Sequence, residues 1–150
     1  MRIKILPPLI MLLFAGIMYV LAEFLPVGQF EFFGRKQLAV ILLGLAIVSM
    51  ILALFKFKRA KTTTNPIDLT QTSSLVTSGI FKYTRNPMYL AMLLILLAFG
   101  LKLGNAFNTL VAAGFVYYMN HFQIKFEEEA LEKKYGKTYV LYKKNTRRWF

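Results

Sequence analysis

Leu38–Phe55 reads LAVILLGLAIVSMILALF, eighteen residues in succession without a charged side chain. A helix rises about 1.5 Å per residue, so this run covers most of a hydrocarbon layer about 30 Å thick. Working outward, Pro7–Leu25 (PPLIMLLFAGIMYVLAEFL) has one charge, Glu23 near its end, and is also long enough to span. Downstream, Met88–Leu101 and Ala106–Met119 are separated only by KLGN and stand near the lower limit for a span. They read as a tight helical hairpin whose members borrow flanking residues. Composition agrees, since 57% apolar and 17% charged residues are too greasy a mixture for an ordinary soluble domain. The expectation is an all-α integral membrane fold, with about four transmembrane helices and a cytoplasmic C-terminal helical segment. Met1–Lys4 imitates the start of a secretory leader. The apolar run behind it is too long for a leader and no small-x-small cleavage site follows, so a permanent helix is expected.

Lysine and arginine resist crossing a bilayer and collect on the cytoplasmic side. The loop after the second run carries Lys56, Lys58, Arg59, Lys61, Lys82 and Arg85 against Asp68 alone, and a second basic series runs from Lys125 to Arg148. The first interhelical loop balances Glu23 and Glu31 with Arg35 and Lys36, and the hairpin tip holds only Lys102. With Arg2 and Lys4 at the start, this asymmetry places both termini in the cytoplasm. The net charge of +12 is then an insertion and headgroup signal, and no nucleic-acid partner is expected. The chain has no cysteine and a single histidine, His121, which reads as an interfacial side chain at the end of the fourth helix. No metal site is expected.

Two cytoplasmic segments hold most of the polar chemistry. Lys61–Arg85 is a long loop with turn residues at Thr62–Pro66 and Ser78–Gly79. From Gln123 to Lys134 the residues are good helix formers, and Gly136 supplies a stop. Ile124, Glu128, Leu131 and Tyr135 recur at helical spacing on one face, so Glu128 sits inside an apolar stripe. A carboxylate there costs several kcal/mol unless it meets cations or donors, which calls for a partner. Glu129 and Glu132 fall on a solvated face, with Lys125, Lys133 and Lys137 near enough to pair.

Thr84–Leu90 (TRNPMYL) begins the third run. Asn86 suits an N-cap and Pro87 the first helical position. Tyr89 follows Arg85 by one turn, at the membrane boundary where both residue types are at home. The residues by themselves leave two functions open: an anchor, or one wall of a binding site.

Taken together, TTTNP, LVTSGIFKYTRNPMYL and FQIKFEEEALEKKYGKTYVLYKKNTRRW resemble bacterial members of the isoprenylcysteine carboxyl methyltransferase family, which is related to the phospholipid methyltransferases. The resemblance covers roughly Lys56–Trp149, with the first two spans alike only in hydropathy. It implies a membrane methyltransferase of the bacterial inner membrane. In one membrane domain, residues 1–55 supply two helices, 56–87 a cytoplasmic loop, and 88–150 a hairpin and cytosolic segment enclosing S-adenosylmethionine. By the same resemblance, Arg85 and Glu128 are catalytic. Asn86, Pro87, Tyr89, Glu127, Leu131, Tyr135, Tyr139 and Tyr142 bind the cofactor. The substrate is a lipophilic or lipid-borne thiol, carboxylate or amine. Asn86 stands where eukaryotic members have histidine, and Gln123 where they have a basic residue. A non-catalytic four-helix scaffold would share the hydropathy but leaves Glu128 and the tyrosine ladder unexplained. A sterol-reductase-like enzyme would need a nicotinamide site, for which 150 residues are short.

Overall fold

The computed structural model describes residues 6–25, 27–61 and 73–150. Arg2, Lys4, Thr62–Pro66 and Asp68, used above, lie outside them. Among the described residues the architecture is all-helical, with no strand beyond two isolated bridges. Helix α1 is Pro7–Phe24, opened by two prolines whose missing N–H groups would have been unpaired there anyway. Helix α2, Arg35–Arg59, closes on Lys56, Lys58 and Arg59, cations at the negative end of the helix dipole. A short 3-10 turn, Gly79–Lys82, leads to α3, Pro87–Leu103, which Gly104 ends in a left-handed conformation at φ 71°.

The next segment differs from expectation. Helix α4, Asn108–Tyr118, does not stop at His121 but passes through a π turn, Met119–Ile124, straight into α5, Lys125–Tyr135. The fourth apolar run and the acidic helix form one rod. Gly136 breaks it before α6, Lys137–Asn145. His121 lies within the π turn, exposed, with Nδ1 2.9 Å from the Tyr117 carbonyl.

Helix α2 packs chiefly on α3, α1 packs on α3 and α4, and α1 and α2 have little direct contact. The buried positions of α2 are Ala46, Ser49 and Ala53, all small, which lets its backbone approach a neighbour closely. Ser49 satisfies its hydroxyl by donating to the Pro87 carbonyl at 2.9 Å. The core joins Ile10 and Met18 of α1, Met92 and Leu96 of α3, Phe115 of α4, and Met119 and Ile124 of the π turn. Phe14 meets Phe115 edge to face at 5.6 Å. Outside this core the surface is inverted relative to a soluble protein, because Leu12, Leu13, Val40, Ile41 and Ile51 are all more than half exposed. Helices α1 and α2 are long and apolar enough to cross a membrane, and α3 is a shorter apolar helix. An apolar medium satisfies such faces, and helices need nothing from it for their backbone groups.

Consecutive helices run between two ends. At one end Asn105 ties the hairpin turn to the first loop. Its Nδ2 donates to the Leu25 and Val27 carbonyls at 3.1 and 3.3 Å, and its Oδ1 accepts from the Phe107 N–H at 3.0 Å. Beside it, Arg35 bonds the Phe30 carbonyl and Glu31, and a Cβ at Gly104 would collide with the Arg35 guanidinium. Asn105 is 2% exposed, so truncation strands buried polar groups. Asn105→Ala should destabilise the detergent-purified protein by about 1–3 kcal/mol, and an unchanged thermal midpoint would show that these bonds contribute nothing.

Candidate functional site

At the opposite end, the stretch that opens α3 meets α5 and the chain's C-terminal segment. Arg85 is held by its backbone and its side chain. Its N–H donates to the Arg147 carbonyl at 2.9 Å, and Nη1 donates to the Lys143 carbonyl at 2.9 Å and to that of Thr146. Its Nη2 reaches Glu128 Oε1 at 2.8 Å, and Nε is buried without an acceptor. Arg148 takes the same carboxylate from the other side, Nε on Oε1 at 3.1 Å and Nη2 on Oε2 at 2.6 Å. Burial by itself would raise the Glu128 pKa. The hydrogen bonds from Arg148 and Arg85 outweigh it and hold the carboxylate below its ordinary value.

Glu127 has a different environment. Tyr89 Oη and Gln123 Nε2 both donate to its Oε1, each at 2.5 Å. Among the described residues no arginine pairs with it, and burial, only partly offset by those two bonds and reinforced by the neighbouring Glu128 charge, pushes its pKa from 4.5 to about 7. Two adjacent carboxylates therefore differ in kind: one is pinned as an anion by two guanidiniums, the other is poised to exchange a proton near neutrality.

The tyrosines of α6 finish the wall. Tyr139 is 2% exposed, with its ring centroid 6.1 Å from that of Tyr142, whose hydroxyl donates to the Phe81 carbonyl at 2.7 Å. Burial pushes both phenols up, so both stay neutral donors.

These groups border a cavity of about 390 Å³. One wall is polar: Arg85, Asn86, Tyr89, Glu127, Glu128, Tyr139 and Tyr142. Apart from Ser74 of the loop, the remainder is apolar, from Leu6, Pro7 and Pro8 at the start of α1, Phe57 of α2, Leu75 and Val76 of the loop, Phe81, and Pro87, Met88, Met92 and Leu131. The volume is in the range of small-molecule sites, about 300–1,000 Å³, and so is the mixture of apolar walls with a few convergent polar groups.

Of the residues singled out in the sequence, Arg85, Asn86, Pro87, Tyr89, Glu127, Glu128, Leu131, Tyr139 and Tyr142 all border this cavity. Tyr135 does not. It is the last residue of α5, one turn past Leu131, with the Lys134 ammonium 6.0 Å from its ring. Asn86 occupies the N-cap position as expected, but its side chain does not cap the helix. Its Nδ2 instead donates to the Arg148 carbonyl at 3.0 Å. Glu132 pairs with Lys143 of α6 at 2.8 Å rather than with a lysine of its own helix, while Glu129 is exposed as expected. Sequence reasoning gave no role to Arg148, Asn120, Phe57 or the start of α1. None of them has a periodic pattern that announces a distant contact.

Apolar helices of membrane length, with a cavity at the ends of the helices, define the class as that of a membrane protein. The chain belongs to the phospholipid methyltransferase family, which it matches over residues 34–138. That match runs from the start of α2 into α6 and includes Arg85, Tyr89, Glu127 and Glu128. The family is one of membrane methyltransferases, whose members generally use S-adenosylmethionine. An uncharacterised protein of Haemophilus influenzae is 50% identical over 62 residues, 41% of this chain and 98% of the relative. No solved structure matches the chain. Among the described residues, no group of three or more His, Cys, Asp or Glu side chains is placed to hold a metal ion.

The two carboxylates can be separated by titration. An acid whose pKa is raised by folding holds a proton in the native state that the unfolded chain has already lost. Its contribution to stability therefore falls as pH rises between 4.5 and about 7. Glu127→Gln should remove that part of the pH dependence, seen as a shrinking difference in thermal midpoint between variant and wild type at low pH. A difference independent of pH over this window would show that Glu127 titrates normally.

Proposed function

We propose that the protein transfers a methyl group from S-adenosylmethionine to a lipophilic or lipid-borne acceptor, a thiol, carboxylate or amine, at the cytoplasmic face of a bacterial inner membrane. In this reading it is of the isoprenylcysteine carboxyl methyltransferase type, with four spans and both termini in the cytoplasm. The observation that carries it is a single cavity bringing together Arg85, Glu127 and Glu128 against apolar and aromatic walls.

The residues present fit the cofactor. S-adenosylmethionine combines a carboxylate, cationic groups and a flat ring, and the cavity offers a counterpart to each. Arg85 brings a guanidinium to the cavity wall. Glu127 receives both of its hydrogen bonds on Oε1, which leaves Oε2 without a protein donor and available to a cation. Phe57, Phe81, Leu75 and Val76 give apolar surface for the ring. When bound, the cofactor supplies an electrophilic methyl group. The chain's own contribution is to orient both reactants and exclude water, which accounts for much of the acceleration in a displacement of this kind. Glu127 can hold or release a proton at neutral pH for an acceptor that carries one. The acceptor's apolar portion is matched by Leu6, Pro7, Pro8 and Met92.

Calorimetry on detergent-purified protein should register binding of S-adenosylmethionine and of its demethylated product. Arg85→Lys and Glu128→Gln should each weaken that binding at least tenfold, about 1.4 kcal/mol. Lysine keeps the charge but lacks the planar fork that serves Glu128 and two carbonyls together. The exposed Glu129→Gln is the control. Absence of heat with folded wild-type protein would overturn the proposal, and variants that match the control would overturn the site.

Orientation is tested separately. Single cysteines at the exposed Thr77 and Lys102 should react oppositely with an impermeant reagent on intact cells, Lys102→Cys labelled and Thr77→Cys protected. These positions are preferable to Gly79 and Gly104, whose backbones have positive φ and whose Cβ atoms would strike Lys56 and Arg35. Labelling of Thr77→Cys from outside would reverse the topology.

A further inference from the structure

The C-terminal residues form a strap. The Thr84 hydroxyl donates to the Arg148 carbonyl at 3.3 Å, Asn86 Nδ2 donates to the same oxygen, and Thr84 and Arg147 form a parallel bridge. Trp149 Nε1 donates to Asn120 Oδ1 in the π turn at 3.0 Å, which fixes the strap's far end to the rod. Between these anchors every side-chain nitrogen of Arg148 is engaged. Nε and Nη2 grip the two oxygens of Glu128, and Nη1 lies 3.4 Å from Asn120 Oδ1.

We propose that Arg148 is a positioning residue of the cavity, one that orients Glu128 and, through the shared carboxylate, Arg85. Arg85 touches Glu128 by one nitrogen and one oxygen, a contact about which the carboxylate can turn. The two-point grip of Arg148 fixes the plane of the carboxylate. Arg148 does not itself border the cavity, so its influence passes through Glu128. It is also the outermost of the three, with its side chain 35% accessible against 9% for Glu128 and 10% for Arg85, and it closes the inner pair from water. Two guanidiniums on one carboxylate leave the cluster a net positive charge beside the cavity, suited to an anionic end of a ligand. The strap lies beyond residues 34–138, so the family match says nothing of it.

This inference rests on the reading that the cavity takes S-adenosylmethionine, and the test separates the two. Binding of S-adenosylmethionine is measured by calorimetry for wild type, Arg148→Ala, Arg148→Lys, Glu128→Gln and the double variant Arg148→Ala/Glu128→Gln, with the exposed Lys144→Ala as control. Arg148→Ala should weaken binding at least tenfold, and Arg148→Lys by less. In the Glu128→Gln background, loss of Arg148 should add nothing, because its route to the site is already cut. A merely structural role would give additive losses.

A second readout is the pH profile. The groups facing Glu128 are Arg85, Arg148, Glu127 and Tyr139, and removing one of its two cations raises its proton affinity. Binding by Arg148→Ala should therefore fall on acidification through a range where the wild type is level. Additive losses, or an Arg148→Ala affinity equal to wild type, overturn the positioning role while leaving the cofactor reading in place. Failure of wild type to bind overturns both. Should Arg148→Ala not fold, the cycle of Arg148→Lys with Glu128→Gln decides by the same criterion.

Discussion

The Glu128 carboxylate, shared between Arg85 and Arg148, is the constraint on which this end of the molecule depends. Each of the three residues belongs to a different segment: the stretch leading into α3, the first turn of α5 and the C-terminal strap. An unpaired carboxylate at 7% exposure would cost several kcal/mol. Two guanidiniums repay that cost only when all three segments are docked, so the charge specifies an arrangement more than it adds stability. The opposite end needs no such device. There Asn105 closes the turn with neutral hydrogen bonds, and between the two ends small residues and Phe14 against Phe115 supply the packing.

Adjacent glutamates in one helix acquire different chemistries because a helix turns about 100° per residue. Glu128 points toward the two arginines, while Glu127 points toward Tyr89 and Gln123, which donate hydrogen bonds but carry no charge. The first is locked as an anion, and the second titrates near 7. Separated proton affinities within one cavity are how a site divides charge stabilisation from proton handling. Resemblance alone gave the catalytic label to Glu128. On the geometry Glu128 is fully engaged by protein cations, and Glu127 has the oxygen left over.

What could be read from the sequence was what local periodicity encodes. The first three apolar runs became helices close to their expected limits, and Gly136 stopped a helix as expected, by its backbone freedom. The apolar stripe around Glu128 announced a buried carboxylate in need of cations, and Arg85 was within reach of inference. The rest was not legible, for identifiable reasons. A π turn has no composition signal, so the continuity of α4 with α5 was invisible. Arg148 acts from an extended strap, where neither a period of 3.6 nor one of 2 marks its direction. The Asn86 amide had a good local use as a cap, and a carbonyl 62 positions away took it instead. Phe57 and Leu6–Pro8 look like any interfacial residues until the fold sets them on one cavity.

The position of that cavity follows from how the helices pair. Helix α3 lies between α1 and α2, which have little contact with each other, so the start of α1 and the end of α2 are held apart. Leu6, Pro7 and Pro8 line the cavity from one side, and Phe57 with Leu75 and Val76 from the other. The polar wall is fastened to α3, α5 and α6 by ionic and backbone hydrogen bonds, whereas the apolar edge is shared by two helices that do not brace each other. Each of those helices is braced by α3 instead, α2 most extensively, and Phe57 meets Phe81 edge to face at 5.2 Å, so packing holds the apolar edge where the Glu128 cluster holds the polar wall.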